Sequence, residues 1–242
     1  MLPIKPDKGA CKVIREVSLK EISDGRLYEA NDMVKADCGD CKGCSACCHG
    51  MGSSIVLDPL DVYRLCEGLN QPFPQLLANH LELNVVDGII LPNLKMAGEE
   101  ECCSFLNQEG RCTIHGFRPG ICRLFPLGRY YENDSFKYFL QVHECRNQNR
   151  TKVKVRKWID TPELPRYEQY IKDWHYFLKD LEEQILKAGG QEDGSQGSGF
   201  SEQKAKEISM SLLGRFYMTP YLPDRYFYEQ FYERLNEAKK EF

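Results

Sequence analysis

The chain has 242 residues, 42% of them apolar and 11% aromatic, with 36 acidic against 32 basic side chains and a formal net charge of −4. That length allows one compact domain, or one with a helical appendage, and the apolar content excludes global disorder. A weakly acidic chain with no basic arm and no aromatic-rich basic stripe is excluded as a generic binder of nucleic acid or anionic membrane.

The opening MLPIKPDKGACKVIREVSLKEISDG lacks the apolar core of a signal peptide, and no stretch approaches the apolar length of a membrane span. The expected location is therefore cytoplasmic. Thiols stay reduced there, so the 12 cysteines point to metal rather than to a disulfide framework.

In chain order, residues 1–37 read as a lead-in with strand character from Lys12 to Val17 and an isolated Cys11. Residues 38–52, CGDCKGCSACCHGMG, form a Gly- and Cys-rich loop. Asp58 and Pro59 supply the N-cap and first turn of a helix carried by Leu60, Val62, Leu65 and Leu69, and Pro74–Leu83 predicts a second short helix. Asp87-Gly88 is a two-residue turn signal between Asn84–Val86 and Ile89–Leu91. Further hairpins are predicted between Cys103–Leu106 and Arg111–Ile114, and between Arg129–Tyr131 and Phe136–Val142. Between these two lies Phe117–Cys122, a turn leading into a short helix. From Tyr167 onward, Tyr170, Ile171, Trp174, Leu178, Leu181 and Ile185 recur at helical spacing. The composition of Ala188–Gly199 is that of a flexible linker. Two more helical stretches follow, Ser201–Tyr217 and Asp224–Lys240, rich in aromatic residues that are read as packing on the metal domain and on each other. The organisation expected is a lead-in over 1–37, a cysteine-cluster domain over 38–160 and a helical region over 161–242. The fold class is α+β: a Cys-rich loop and short antiparallel hairpins around a metal site, with a helical C-terminal third.

The chemistry lies in the cysteines. Cys38, Cys41, Cys44 and Cys47 stand three apart, and Cys48 follows directly. A two-residue spacer lets a turning backbone aim successive thiolates at one centre. Adjacent side chains diverge, so Cys47 and Cys48 are expected to serve two centres or to bridge a pair of metals. Cys103, Cys112, Cys122 and Cys145 supply four more thiolates from the later segments. The metal-ligand set is therefore Cys41, Cys44, Cys47, Cys48, Cys103, Cys112, Cys122 and Cys145, enough for two four-thiolate sites or for one cluster plus one mononuclear metal. Cys11 and Cys66 read as ordinary thiols, the latter on the apolar face of the Asp58 helix, and Cys38, whose spacing continues the CxxC steps, as a spare or alternative ligand. Cys102 points to the opposite face of its strand from Cys103 and is not assigned as a ligand. Arg118 and Arg123 flank Cys122 and would offset the charge of buried thiolates, supporting the cofactor without binding it directly. His49, His115 and His143 read as polar residues at the edge of the site.

These residues resemble a known family. CKGCSACC matches the CxxCxxCC signature of the YkgJ-type cysteine-cluster proteins, described as a zinc- or iron-chelating domain. Cys103-Ser-Phe-Leu, Gly110-Arg-Cys112-Thr-Ile-His and Arg118-Pro119-x-x-Cys122-Arg123-x-Phe125-Pro126 look like the family's second block, and Cys145 its trailing cysteine. His115 stands where the family usually has an aromatic residue. The family includes flagellin lysine N-methylases, which use S-adenosylmethionine. The resemblance implies an iron–sulfur cluster, 4Fe–4S, as the leading cofactor. Zinc in a structural or interaction module is the alternative, and S-adenosylmethionine in a protein-lysine methylase is a third reading. The partner implied is a protein, substrate or otherwise. No glycine-rich nucleotide loop of Rossmann type is present, and no catalytic residue is assigned.

Overall fold

The structure is a computed structural model that describes residues 19–39, 44–147, 149–192 and 200–242, side chains excepted at 190–192. The predicted strand Lys12–Val17, Cys11 and Cys41 lie outside the described residues. The elements in the first half are α1 (Leu19–Ile22), β1 (Ser23–Tyr28), β2 (Met33–Asp37), α2 (Pro59–Leu69), α3 (Phe73–Asn79), β3 (Leu81–Val86), β4 (Ile89–Leu94), β5 (Met96–Ala97) and β6 (Cys102–Cys103). Then follow α4 (Gly120–Leu124), β7 (Leu127–Glu132), β8 (Ser135–Gln141), β9 (Thr151–Lys154), α5 (Val155–Ile159), α6 (Leu164–Glu192), α7 (Glu202–Leu212) and α8 (Phe227–Glu241). The mixed α+β class is as expected.

The strand pairing explains why one loop and several distant cysteines meet. β1 and β2 precede the Cys-rich loop, yet β1 pairs with β8 in a sheet ordered β1-β8-β7, and β2 pairs with β9, all antiparallel. The chain entering the loop is thus tied on both sides of Cys145. Asn147 completes the tie, donating its side-chain N–H to the Cys38 carbonyl at 3.4 Å.

α2 begins as the sequence predicts. The Asp58 side chain accepts from the Asp61 N–H, the Asp61 carboxylate accepts in return from Asp58, and Pro59 occupies the first turn. Asp87-Gly88 closes the β3–β4 hairpin, with both residues at positive φ (49° and 83°) as a two-residue turn of this kind requires. Two expectations are corrected. The second helix ends at Asn79 rather than running to Leu83, because Leu81–Val86 pairs residue for residue with Ile89–Leu94. The Cys103–Leu106/Arg111–Ile114 hairpin is reduced to a single bridge, Leu106 to Cys112. β6 pairs instead with β5, where Met96 faces Cys103 and Ala97 faces Cys102.

The carboxy-terminal helices pack onto α2 through a buried aromatic core. Tyr170 accepts from the Leu60 N–H and donates to Asp58, both at 3.0 Å, and the Tyr217 hydroxyl donates to the Leu57 carbonyl at 3.0 Å. Phe231 packs edge-on to Tyr170, ring centroids 4.6 Å apart, and Trp174 to Phe216 at 5.0 Å. Phe216, Tyr217, Tyr221, Phe227, Tyr228 and Phe231 are all buried, so packing accounts for most of the aromatic tail. α6 continues to Glu192, into the stretch read as linker, and α7 runs into a π-helical turn over Leu213–Met218. No helix among the described residues is long and apolar enough to cross a membrane.

Candidate metal centre

A cavity of about 240 Å³ lies between the end of the Cys-rich loop, β6, the Cys112 turn and α4. Cys44, Cys47, Cys48, Cys103, Cys112 and Cys122 all line it, six of the eight predicted ligands. Local hydrogen bonding positions Cys48, Cys112 and Cys122. Ala46–Cys48 is a 3-10 turn with the Cys48 N–H on the Ser45 carbonyl at 2.8 Å, and the Gly50 N–H binds the Glu101 carbonyl at 3.0 Å. Cys112 is held where Thr113 donates its N–H to the Phe105 carbonyl (2.9 Å) and Arg111 donates its N–H to the Asn107 side chain (2.7 Å). Cys122 rides on α4, whose first residue, Gly120, donates its N–H to the buried Asp61 carboxyl at 2.7 Å. A Cβ at Gly120 would meet the Tyr167 hydroxyl at 2.1 Å, so the close approach of α4 to α6 requires glycine there.

Cys47 and Cys48, expected to serve two centres or to bridge a pair of metals, stand together at one cavity. Both line the cavity, and the Cys48 thiol is hydrogen-bonded to the Cys47 sulfur. A 3-10 turn sets neighbouring side chains about 120° apart, and Cys47 also borders the adjoining space beside Cys145 while Cys48 does not. The hydrogen bond from Cys48, aided by the Arg118 guanidinium, brings Cys47 down to about 7, while the same bond and burial push Cys48 far up. Burial raises Cys103, Cys112 and Cys122. Burial thus favours the neutral thiol at Cys103, Cys112 and Cys122, beside one thiolate-prone sulfur, Cys47.

Cys145 is buried but does not line this cavity. It borders an adjoining space of about 20 Å³ together with Cys38, Cys44 and Cys47. Cys66 packs partly against the core, and burial pushes its thiol up to about 11, in keeping with an ordinary thiol. Arg118 lines the cavity, lies 2.8 Å from His115 Nε2, and lowers Cys47 and Cys112 by its charge. Arg123 does not share that role. It donates to the Gly116 carbonyl (2.8 Å) and the Asp160 carbonyl (3.3 Å), and with Arg64 and Arg156 lines a separate groove. The reason is helical: one residue past Cys122 on α4, its side chain is rotated off the cavity face. His115 lines the cavity, whereas His143 is exposed.

Sequence reasoning did not single out Glu144 or Gln141, which supply polar groups to the wall, nor Met51 and Met96, which add thioethers. Glu144 stands beside Cys145, and that adjacency was the available signal. Among the described residues, three ligand atoms lie within 4.8 Å of one another only at His49, Glu100 and Cys102, none of which lines the cavity. No three of the described cavity thiols approach that closely.

The family model CxxCxxCC, described as a proposed zinc- or iron-chelating domain, matches residues 40–151. That stretch contains every cysteine of the cavity and Cys145. No curated protein and no solved structure matches the chain.

Proposed function

We propose that residues 40–151, a CxxCxxCC domain, hold a polynuclear metal–sulfur centre, an iron–sulfur cluster of the 4Fe–4S kind, in the cavity formed by the early loop, β6 and α4. One observation carries the reading. Six thiols surround about 240 Å³, and no three of those described converge within 4.8 Å. A single tetrahedral zinc, with Zn–S of about 2.3 Å, would draw its four sulfurs to about 3.8 Å apart. A ring of thiols around a larger volume suits a body with several metal atoms.

The donor set fits. Soft thiolates suit iron–sulfur and zinc alike, and six exceed the four that one cluster requires. Cys47, Cys48, Cys103, Cys112 and Cys122 form the inner set, and exposed Cys44 stands at the mouth. Arg118 offsets the negative charge of bound thiolates, and Ile55, Leu94, Ile114 and Leu127 wall the cavity with buried apolar surface that limits water. When bound, such a cluster supplies one-electron chemistry at a potential set by charge and burial.

The test is anaerobic purification followed by iron, sulfide and zinc analysis with a visible spectrum. Brown protein with matching iron and sulfide is expected. Colourless protein with stoichiometric zinc overturns the reading and selects the structural zinc module.

A further inference from the structure

The two segments that present Cys48 and Cys103 to the cavity carry a second ligand set on their other side. His49 and Cys102 form an antiparallel bridge, and the Gly50 N–H on the Glu101 carbonyl (3.0 Å) fixes the same pair of segments one residue further on. Side chains alternate across such a pairing. Cys48 and Cys103 line the cavity, while His49 and Cys102 do not and instead meet each other, His49 Nδ1 standing 3.2 Å from Cys102 Sγ. Glu100 completes the group, its Oε2 3.9 Å from the same sulfur. All three ligand atoms lie within 4.8 Å of one another.

Those distances match a particular kind of ion. A tetrahedral metal with a bond of about 2.3 Å to sulfur and about 2.0–2.2 Å to nitrogen or oxygen holds its donors about 3.6 Å apart. The observed 3.2 and 3.9 Å lie on either side of that value. The ring of His49 is also oriented for ligation. Its far nitrogen, Nε2, faces the Ser45 hydroxyl at 3.3 Å. A proton on Nε2 shared with that oxygen leaves the Nδ1 lone pair directed at the trio, the outer hydrogen bond common to ligating histidines. The backbone is fixed on the opposite side too, by the Ala97–Cys102 pairing and by the Glu101 N–H on the Gly98 carbonyl at 3.2 Å.

We propose that His49, Glu100 and Cys102 bind one divalent transition-metal ion of the zinc class, separate from the centre in the cavity. A mixed nitrogen, oxygen and sulfur donor set selects such an ion over calcium or magnesium, which take oxygen ligands. Three protein ligands leave a fourth position for water or an external donor. With His49 and Cys102 half-buried and Glu100 exposed, that position faces the protein surface. An ion there clamps the end of the Cys-rich loop to β6, and so stabilises two of the segments that build the cavity.

The test uses the full chain, purified anaerobically with whatever its cavity holds, and titrated with Co²⁺ as a spectroscopic stand-in for zinc. The wild type is expected to take up one Co²⁺ more than the His49→Gln/Cys102→Ala variant, with a thiolate-to-cobalt absorption band that the variant lacks. Glu100→Gln changes only an exposed side chain and keeps the test valid if the double variant fails to fold. It is expected to weaken Co²⁺ binding at least about tenfold, as for loss of a ligand or its support. Equal cobalt uptake by wild type and double variant, or unchanged affinity in Glu100→Gln, overturns the site. Iron and sulfide are measured in the same samples. Their absence would refute the cluster in the cavity while leaving the one-ion difference intact.

Discussion

Asp61→Ala tests how α4, and with it Cys122, is held against the rest of the domain. The buried Asp61 carboxyl accepts from Gly120 N–H at 2.7 Å and from Asp58 N–H at 3.3 Å, joining the first turn of α4 to the first turn of α2. Removing it strands both donors, and a buried unsatisfied N–H costs about 1–3 kcal/mol. With the short bond near the top of that range and the long one near the bottom, the gross loss is about 3–4 kcal/mol. Part is returned, because burial and the neighbouring Asp58 already push the Asp61 carboxyl well up, and the variant no longer buries it. A net destabilisation of about 2–3 kcal/mol is expected, with iron per chain falling in parallel because α4 carries Cys122. Asp61→Asn keeps one acceptor for Gly120 and should cost about 1 kcal/mol. The assay is anaerobic urea unfolding of the as-purified protein alongside metal analysis. An Asp61→Ala protein that unfolds within about 0.5 kcal/mol of wild type, with full metal, would refute this account of how α4 is placed.

Other variants test the remaining parts. Tyr170→Phe strands the Leu60 N–H and releases Asp58, so a loss of about 1–3 kcal/mol is expected in thermal or urea unfolding; an unchanged midpoint would show that this contact contributes nothing. Cys44→Ser should lower metal content and melting temperature together while Cys66→Ala retains full metal, and the opposite ranking would count against the ligand assignment. His175 stacks on Tyr131 with centroids 3.5 Å apart, and burial, with the nearby Lys179 charge, pushes it down to about 4; Arg129 acts in the same sense and Asp87 against it. Its unfolded value is about 6.5, so the unfolded chain takes up the proton first. The His175 contribution is fully present above about pH 6.5 and is lost as pH falls toward 4. His175→Gln should flatten stability measured across that window, and an identical slope in both proteins would contradict the assignment.

How far the sequence leads depends on how local each signal is. The Asp58 cap, the Asp87-Gly88 turn and the apolar face of α6 are set by neighbouring residues, and all are found where expected. β5 and β6 are two residues each, too short to carry any periodicity, so their pairing and the loosened Cys112 turn could not be read. Leu81-Glu82-Leu83 fits the end of a helix as well as a strand, and only pairing with β4 decides between them. For the site, sequence reasoning brought together six cysteines that line one cavity. It could not show that Cys145 sits beside the cavity rather than in it, or that Arg123 turns away while Arg118 faces the sulfurs. The His49–Glu100–Cys102 group depends on two segments meeting across 51 or more positions, information that no window of sequence contains.

The most direct test of the central claim, that sulfur from the early loop and from the later segments surrounds several metal atoms at once, is X-ray absorption at the iron edge of the anaerobically purified protein. The account predicts a sulfur shell together with a metal–metal scattering shell, both lost in Cys122→Ser. Iron absent from the sample, with a zinc-edge spectrum showing sulfur neighbours and no second metal, would contradict it.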